Sequence, residues 1–260
     1  MKHLTVLMHR EWLEAWRNFK WIWIPLVFVL LGVTQPITSY YMEDLLRVVG
    51  NLPDGFQMAF PQMTATDIFL STTGQFQMLG LIVCISAFVG GISRERQNGT
   101  ATLLYVRPIS ATTVFLSKWI VSSVIAIGSA TAGYIGCLYY TVLLYGAVDG
   151  LRFVQMVFTY AIWLCFVLAF TLAMSAAFKT AVAATIAMLV LPFGVTIDMA
   201  IGGFWTWTPW KLATYGVEWM AGTVSSEDFQ ITIVFTMVLI VCAVLFGIWK
   251  TKQNWSWTKL

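Results

Sequence analysis

The sequence predicts an all-α polytopic membrane protein with six transmembrane helices and both termini in the cytosol. Three observations carry this. First, hydrophobic residues make up 59% of the chain and charged residues only 10%, against about 25% charged in an ordinary soluble domain. Second, the mean hydropathy is +0.78, and several apolar runs reach the roughly 20 residues a helix needs to cross about 30 Å of hydrocarbon. Such continuous runs exclude a barrel of short alternating strands, and unpaired backbone excludes an open sheet in lipid. Third, six crossings put only Arg47, Arg152 and Lys211 of the 15 Lys and Arg residues on the outer side. That side holds nine of the 12 acids, Glu43, Asp44, Asp54, Asp67, Asp149, Asp198, Glu218, Glu227 and Asp228. The bias of bases to the other side sets both termini inside.

Residues 1–20 predict an amphipathic helix lying at the membrane surface. Leu4, Leu7, Met8, Trp12, Ala15, Trp16 and Phe19 recur at three- and four-residue spacing, with Arg10, Glu14 and Arg17 largely elsewhere. Tryptophans on one side and bases on the other suit an interface. Acids and tryptophans in this stretch argue against a cleavable signal. The first span covers about 21–41, with Pro25 near its start and Pro36 near its far end. Met42 to Thr73 reads as a long acidic outer connector, with short surface helices in its second half. The second span covers about 75–97, with Gly90-Gly91 permitting a bend near its inner end.

The third span, about 114–145, is longer than a crossing requires. Gly128, Ala132 and Gly136 form a small-residue ridge along it, suited to close packing within the chain or between two copies. The fourth span covers about 151–178 and the fifth about 180–198, where Pro192-Phe193-Gly194 is expected to interrupt the helix. Thr208-Pro209 opens a short interfacial or re-entrant helix. Ser225 caps the sixth span, about 228–249, which runs into a basic aromatic tail.

The chemistry of the spans is sparse. There is no GxxxxGK[ST] loop, HExxH or GxSxG, and no central charge to build a proton relay. His3 and His9 do not make a metal site. Cys84, Cys137, Cys165 and Cys242 lie in apolar runs and are expected to be buried free thiols. Ser86, Thr171, Ser175 and Thr196, with Asp198 at a helix end, are the polar groups from which a pathway or gate would be built. The chain is therefore expected to have no catalytic activity of its own.

One segment breaks the apolar pattern. Residues 94–110 contain Glu95-Arg96-Gln97-Asn98-Gly99-Thr100, then Leu103-Leu104, then Arg107-Pro108-Ile109-Ser110, with Lys118 opening the next span. This ordered set resembles the loop between the second and third helices of ABC-2 type transporter permeases. The resemblance extends over the whole chain in its interfacial helix, six spans and short outer helices. It implies a permease of the bacterial cell membrane that binds no cofactor itself. Two permease subunits, a homodimer before a heterodimer, would pair with two copies of a separate ATP-binding subunit that holds Mg-ATP. Glu95, Arg96, Gly99, Thr100, Leu103, Leu104, Arg107 and Pro108 would then couple the chain to that ATPase. The apolar pathway favours export of an amphiphilic or hydrophobic compound. No nucleic acid partner is implied. A scaffold, sensory or immunity partner of an ATPase is the alternative that the same architecture allows.

Overall fold

The computed structural model describes residues 2–42, 63–99, 109–223 and 225–257. Among these residues the structure is entirely helical, with six helices long and apolar enough to span a membrane. We number the helices α1 (Lys2–Arg17), α2 (Lys20–Tyr40), α3 (Ala65–Gln97), α4 (Ala111–Tyr145), α5 (Gly150–Ala177), α6 (Thr180–Ile201), α7 (Pro209–Ala221) and α8 (Ser226–Trp257). The spans are α2 to α6 and α8.

Helix α1 packs along α4 on a stripe of Leu4, Leu7, Met8, Glu11 and Ala15, and Leu7 and Ala15 are buried. Trp12 and Trp16 are 40% and 60% exposed, so the tryptophans flank this contact rather than forming it. The chain turns into α2 at Phe19, whose φ of 54° is left-handed. A non-glycine residue takes that conformation at a cost of about 1–2 kcal/mol. Trp12 meets Trp21 across the turn with ring centroids 4.3 Å apart.

Helix α2 lies against α4 with backbone touching backbone. A Cβ on Gly32 would sit 2.2 Å from the Gly133 carbonyl oxygen, and one on Gly133 would sit 2.5 Å from that of Phe28. The closest approach is at Gly133, a residue that the ridge read from sequence does not include. Of that ridge, Gly136 faces Val33 of α2, while a Cβ on Gly128 would meet open space.

Helix α3 begins at Ala65, about ten residues before the expected span. The reason is a capping box: the Thr64 hydroxyl accepts from the Asp67 amide, and the Asp67 carboxylate accepts from the Thr64 amide. From Ala65 on, the stretch expected to form surface helices is thus part of the span, and the rest of the expected outer connector, 43–62, lies outside the described residues. A π turn, Phe76–Gly80, interrupts α3 and directs the buried Phe76 ring toward Phe28, Tyr134 and Tyr160 at 5.0, 4.8 and 6.1 Å. These rings and Trp163 form the centre of the bundle, where α5 is surrounded by α3, α4, α6, α7 and α8.

Two further expectations are corrected. Helix α6 continues through Pro192-Phe193-Gly194. Gly194 leaves a slot for the Trp210 indole, where a Cβ would come within 2.3 Å, and Trp210 Nε1 donates to the Leu191 carbonyl at 3.0 Å. The Pro-Phe-Gly stretch is thus the seat of α7. Of the cysteines, Cys84 and Cys137 are buried, Cys165 is half-buried and Cys242 is exposed, because much of α8 faces outward from the bundle.

Helix α7 starts at Pro209 after Thr208 and ends at Gly222, whose φ of 75° suits a residue without Cβ. Its ends are held from outside. Gln77 donates to the Trp210 carbonyl at 2.9 Å, and Arg152 to the Met220 carbonyl at 2.9 Å. Burial raises the pKa of the half-buried Glu218 on this helix from its ordinary value, and the Lys211 charge partly offsets the rise.

Candidate functional site

The inner ends of the spans converge on the last turns of α3, which lead into the 94–110 segment. Residues Ser93, Arg96 and Gln97 are three and four apart and share one helix face, while Glu95 points to the opposite side. Two neighbouring residues of opposite charge therefore reach in opposite directions.

On one side, Glu95 Oε1 accepts from Arg10 Nη2 at 2.8 Å and from Lys118 Nζ at 3.0 Å. The same ammonium donates to Glu11 Oε1 at 2.9 Å. The Lys118 side chain is only 5% exposed, with Glu11 at 13% and Glu95 at 16%. A buried ammonium needs such partners, because an unpaired one in low dielectric is costly. The network joins α1, α3 and α4. Carboxylate oxygens of Glu11, Glu14 and Glu95 lie within 4.8 Å of one another, and the cation bridging Glu11 and Glu95 is the lysine itself. Burial raises the Glu11 pKa and the Lys118 charge partly offsets the rise. Lys20 shares a small cavity with Glu11, Glu14 and Lys118 and donates to the Ala87 carbonyl at 2.9 Å, its ammonium 4.9 Å from the Phe88 ring centre.

On the other side, Arg96 donates to the carbonyls of Ala176 and Phe178 at 2.9 and 2.5 Å. These groups lie at the negative end of the α5 dipole, where a guanidinium is favourable. Ser175 Oγ accepts from the amides of Ile92 and Ser93 at 3.2 and 3.0 Å. Gly91 allows this approach, since a Cβ there would already lie 3.2 Å from Leu172 Cδ2. Ser93 Oγ and Thr180 Oγ1 are 2.8 Å apart.

The remaining residues singled out from sequence divide by position. Gly99 has a φ of 71° and ends the α3 extension. Thr100, Leu103, Leu104, Arg107 and Pro108 lie outside the described residues. Ser86 on α3 and Thr196 on α6 are exposed, with hydroxyls bonded to their own helices through Val83 and Phe193. Thr171 is buried and donates to the Val167 carbonyl at 2.7 Å, so it and Ser175 belong to helix packing. Asp198 is half-buried and accepts from Thr208 Oγ1 at 3.5 Å.

A family model described as "ABC-2 family transporter protein" matches residues 5–248. The chain belongs to the ABC-2 family. A relative in Bacillus subtilis (strain 168), "Uncharacterized transmembrane protein YxlG", is 31% identical over 260 residues, covering 99% of this chain and 100% of the relative. The ABC-2 permease is thus a multi-pass protein of the bacterial cell membrane, and its sequence contains no nucleotide-binding motif.

Sequence reasoning missed Glu11, Thr180 and Asn254, whose Nδ2 donates to the Ala176 carbonyl at 2.9 Å, as parts of this site. Glu11 carried a signal, as the one acid on the stripe Leu4, Leu7, Met8, Ala15. A charge on a packing face implies a buried partner. Thr180 and Asn254 carried none.

Proposed function

We propose that this permease is the transmembrane subunit of an ATP-driven exporter, energised by a separate ABC ATP-binding subunit that docks on residues 94–110. The observation that carries the reading is the anchoring of Glu95 and Arg96 to opposite sides of the bundle. A loop serving only to reverse the chain needs no such fixed base; a loop that receives mechanical work does. In this reading Gly99 to Pro108 meet the ATPase. Leu103 and Leu104 supply the apolar anchor and Arg107 a charged contact, while Glu95 and Arg96 hold the base in place.

Two copies of this chain would enclose the pathway with two ATPases, which hold Mg-ATP. The exposed sides of α3 and α6, with Ser86, Thr185 and Thr196 among apolar side chains, suit an amphiphilic or hydrophobic compound. Leu104→Asp combined with Arg107→Glu tests the docking site. The variant is expected to insert and fold normally, yet to lose co-purification of the ATPase and its ATP turnover. Recruitment and turnover equal to wild type would refute the docking assignment.

A further inference from the structure

We propose that Arg96 and Asn254 are positioning residues that lock the α5–α6 turn to the base of the 94–110 segment, which makes α6 the span that this segment drives. The inference rests on the ATP-driven permease reading above and names the route of its mechanical input. Helix α5 ends at Ala177 and α6 starts at Thr180, leaving a turn too short to absorb displacement. The last carbonyls of α5 and the first of the turn are gripped from two elements. The Arg96 guanidinium spans Ala176 and Phe178, and Asn254 Nδ2, from the inner end of α8, donates to the same Ala176 oxygen at 2.9 Å.

The first residue of α6 is held from the same face of α3. Thr180 Oγ1 lies 2.8 Å from Ser93 Oγ and 3.3 Å from Gln97 Oε1. From this point to the Trp210 seat at Leu191–Gly194, α6 is lightly held. Its buried residues are Ala183, Ala187, Leu191 and Val195, a single narrow stripe of mostly small side chains. A helix gripped by polar bonds at its inner end and by a shallow stripe along its inner half follows that end, pivoting about the Trp210 seat. Neither α1 nor α4 has any comparable link to the α5–α6 turn among the described residues. The Glu95 side of the base therefore holds α1 and α4, and the Arg96 side moves α6.

The test uses the full chain in lipid nanodiscs, alone and with its ATPase. In the chain alone, Arg96→Gln is expected to speed hydrogen exchange of amides 178–183 on the order of tenfold, as loss of charge-assisted bonds at a helix end should. Amides of α1 should exchange as in wild type. Arg96→Lys, which keeps the charge but not the two-pronged donor, should fall between them. Asn254→Ala should act in the same direction with smaller amplitude, which keeps the test open if Arg96→Gln folds poorly.

With the ATPase present, Arg96→Gln should retain it, yet lose the nucleotide-dependent change in alkylation at α6 reported by Thr185→Cys. Unchanged exchange at 178–183, or a wild-type nucleotide response in Arg96→Gln, would overturn the proposal. So would loss of the ATPase from this variant alone, which would make Arg96 a docking contact. Failure of the wild-type chain to hold any ATPase would instead refute the exporter reading and the drive to α6 with it. The exchange measurement, which needs no ATPase, decides the lock separately.

Discussion

Replacing Lys118 by Met removes the cation that bridges Glu11 and Glu95, at 2.9 and 3.0 Å, while keeping the aliphatic stem. Breaking a buried ion pair by deleting one partner costs about 3–5 kcal/mol, because the remaining charge is left without compensation. Glu95 keeps Arg10, but that side chain is 42% exposed and its contribution is screened. The lower end of the range, about 3 kcal/mol, is therefore expected. For a chain of this size each kcal/mol shifts Tm by about 2–4 °C, so a drop on the order of 10 °C should appear in tryptophan-fluorescence melts in nanodiscs.

The pH dependence gives a second readout. Burial already raises the Glu11 pKa, and Lys118 is the main influence opposing that rise. Without the lysine the folded state binds the Glu11 proton still more tightly than the unfolded state does. By linkage, stability of Lys118→Met then rises as pH falls toward the unfolded carboxyl range, and the gap to wild type narrows. Lys118→Met with Glu11→Gln should recover part of the loss at neutral pH. A melt within 1 °C of wild type, or a double variant no better than the single, would refute the buried-network account.

Two other outcomes follow from local geometry. Gly133→Val would drive a side chain into the Phe28 carbonyl and the Phe76 ring, within 2.5 and 2.7 Å at the Cβ alone. A loss of at least about 3 kcal/mol is expected by thermal melting, whereas Gly128→Val, facing open space, should stay within about 0.5 kcal/mol. Thr64→Ala removes the hydroxyl of the capping box on α3 and should cost about 1 kcal/mol, with faster hydrogen exchange confined to residues 65–68.

The spans were legible because length and apolar content decide them before any packing detail matters. Ala65 to Gln75 was not, since its Ser and Thr hydroxyls look like loop chemistry. In the helix, Thr72 returns its hydroxyl to the Ile68 carbonyl at 2.8 Å and Thr73 meets the Tyr134 hydroxyl at 2.9 Å. Pro192 misled for a related reason: its neighbourhood is completed by Trp210, 18 positions later, and no local rule foresees that. At the inner site, charge and motif located the 94–110 segment. They did not reveal that Glu95 and Arg96 turn inward on opposite sides, because that direction depends on where α1 and the α5–α6 turn are packed.

The glycine seam between α2 and α4 bears on how the protein is made. Helix α2 leaves the ribosome well before α4, yet its closest partner is Gly133, a hundred residues further along. A seam without side chains offers no provisional grip, so the first span enters the bilayer with no permanent seat. It waits in lipid, tethered to α1 and touched by α3 at Phe28, until the third span arrives. The two central glycines therefore set the step at which the inserted helices become a folded bundle.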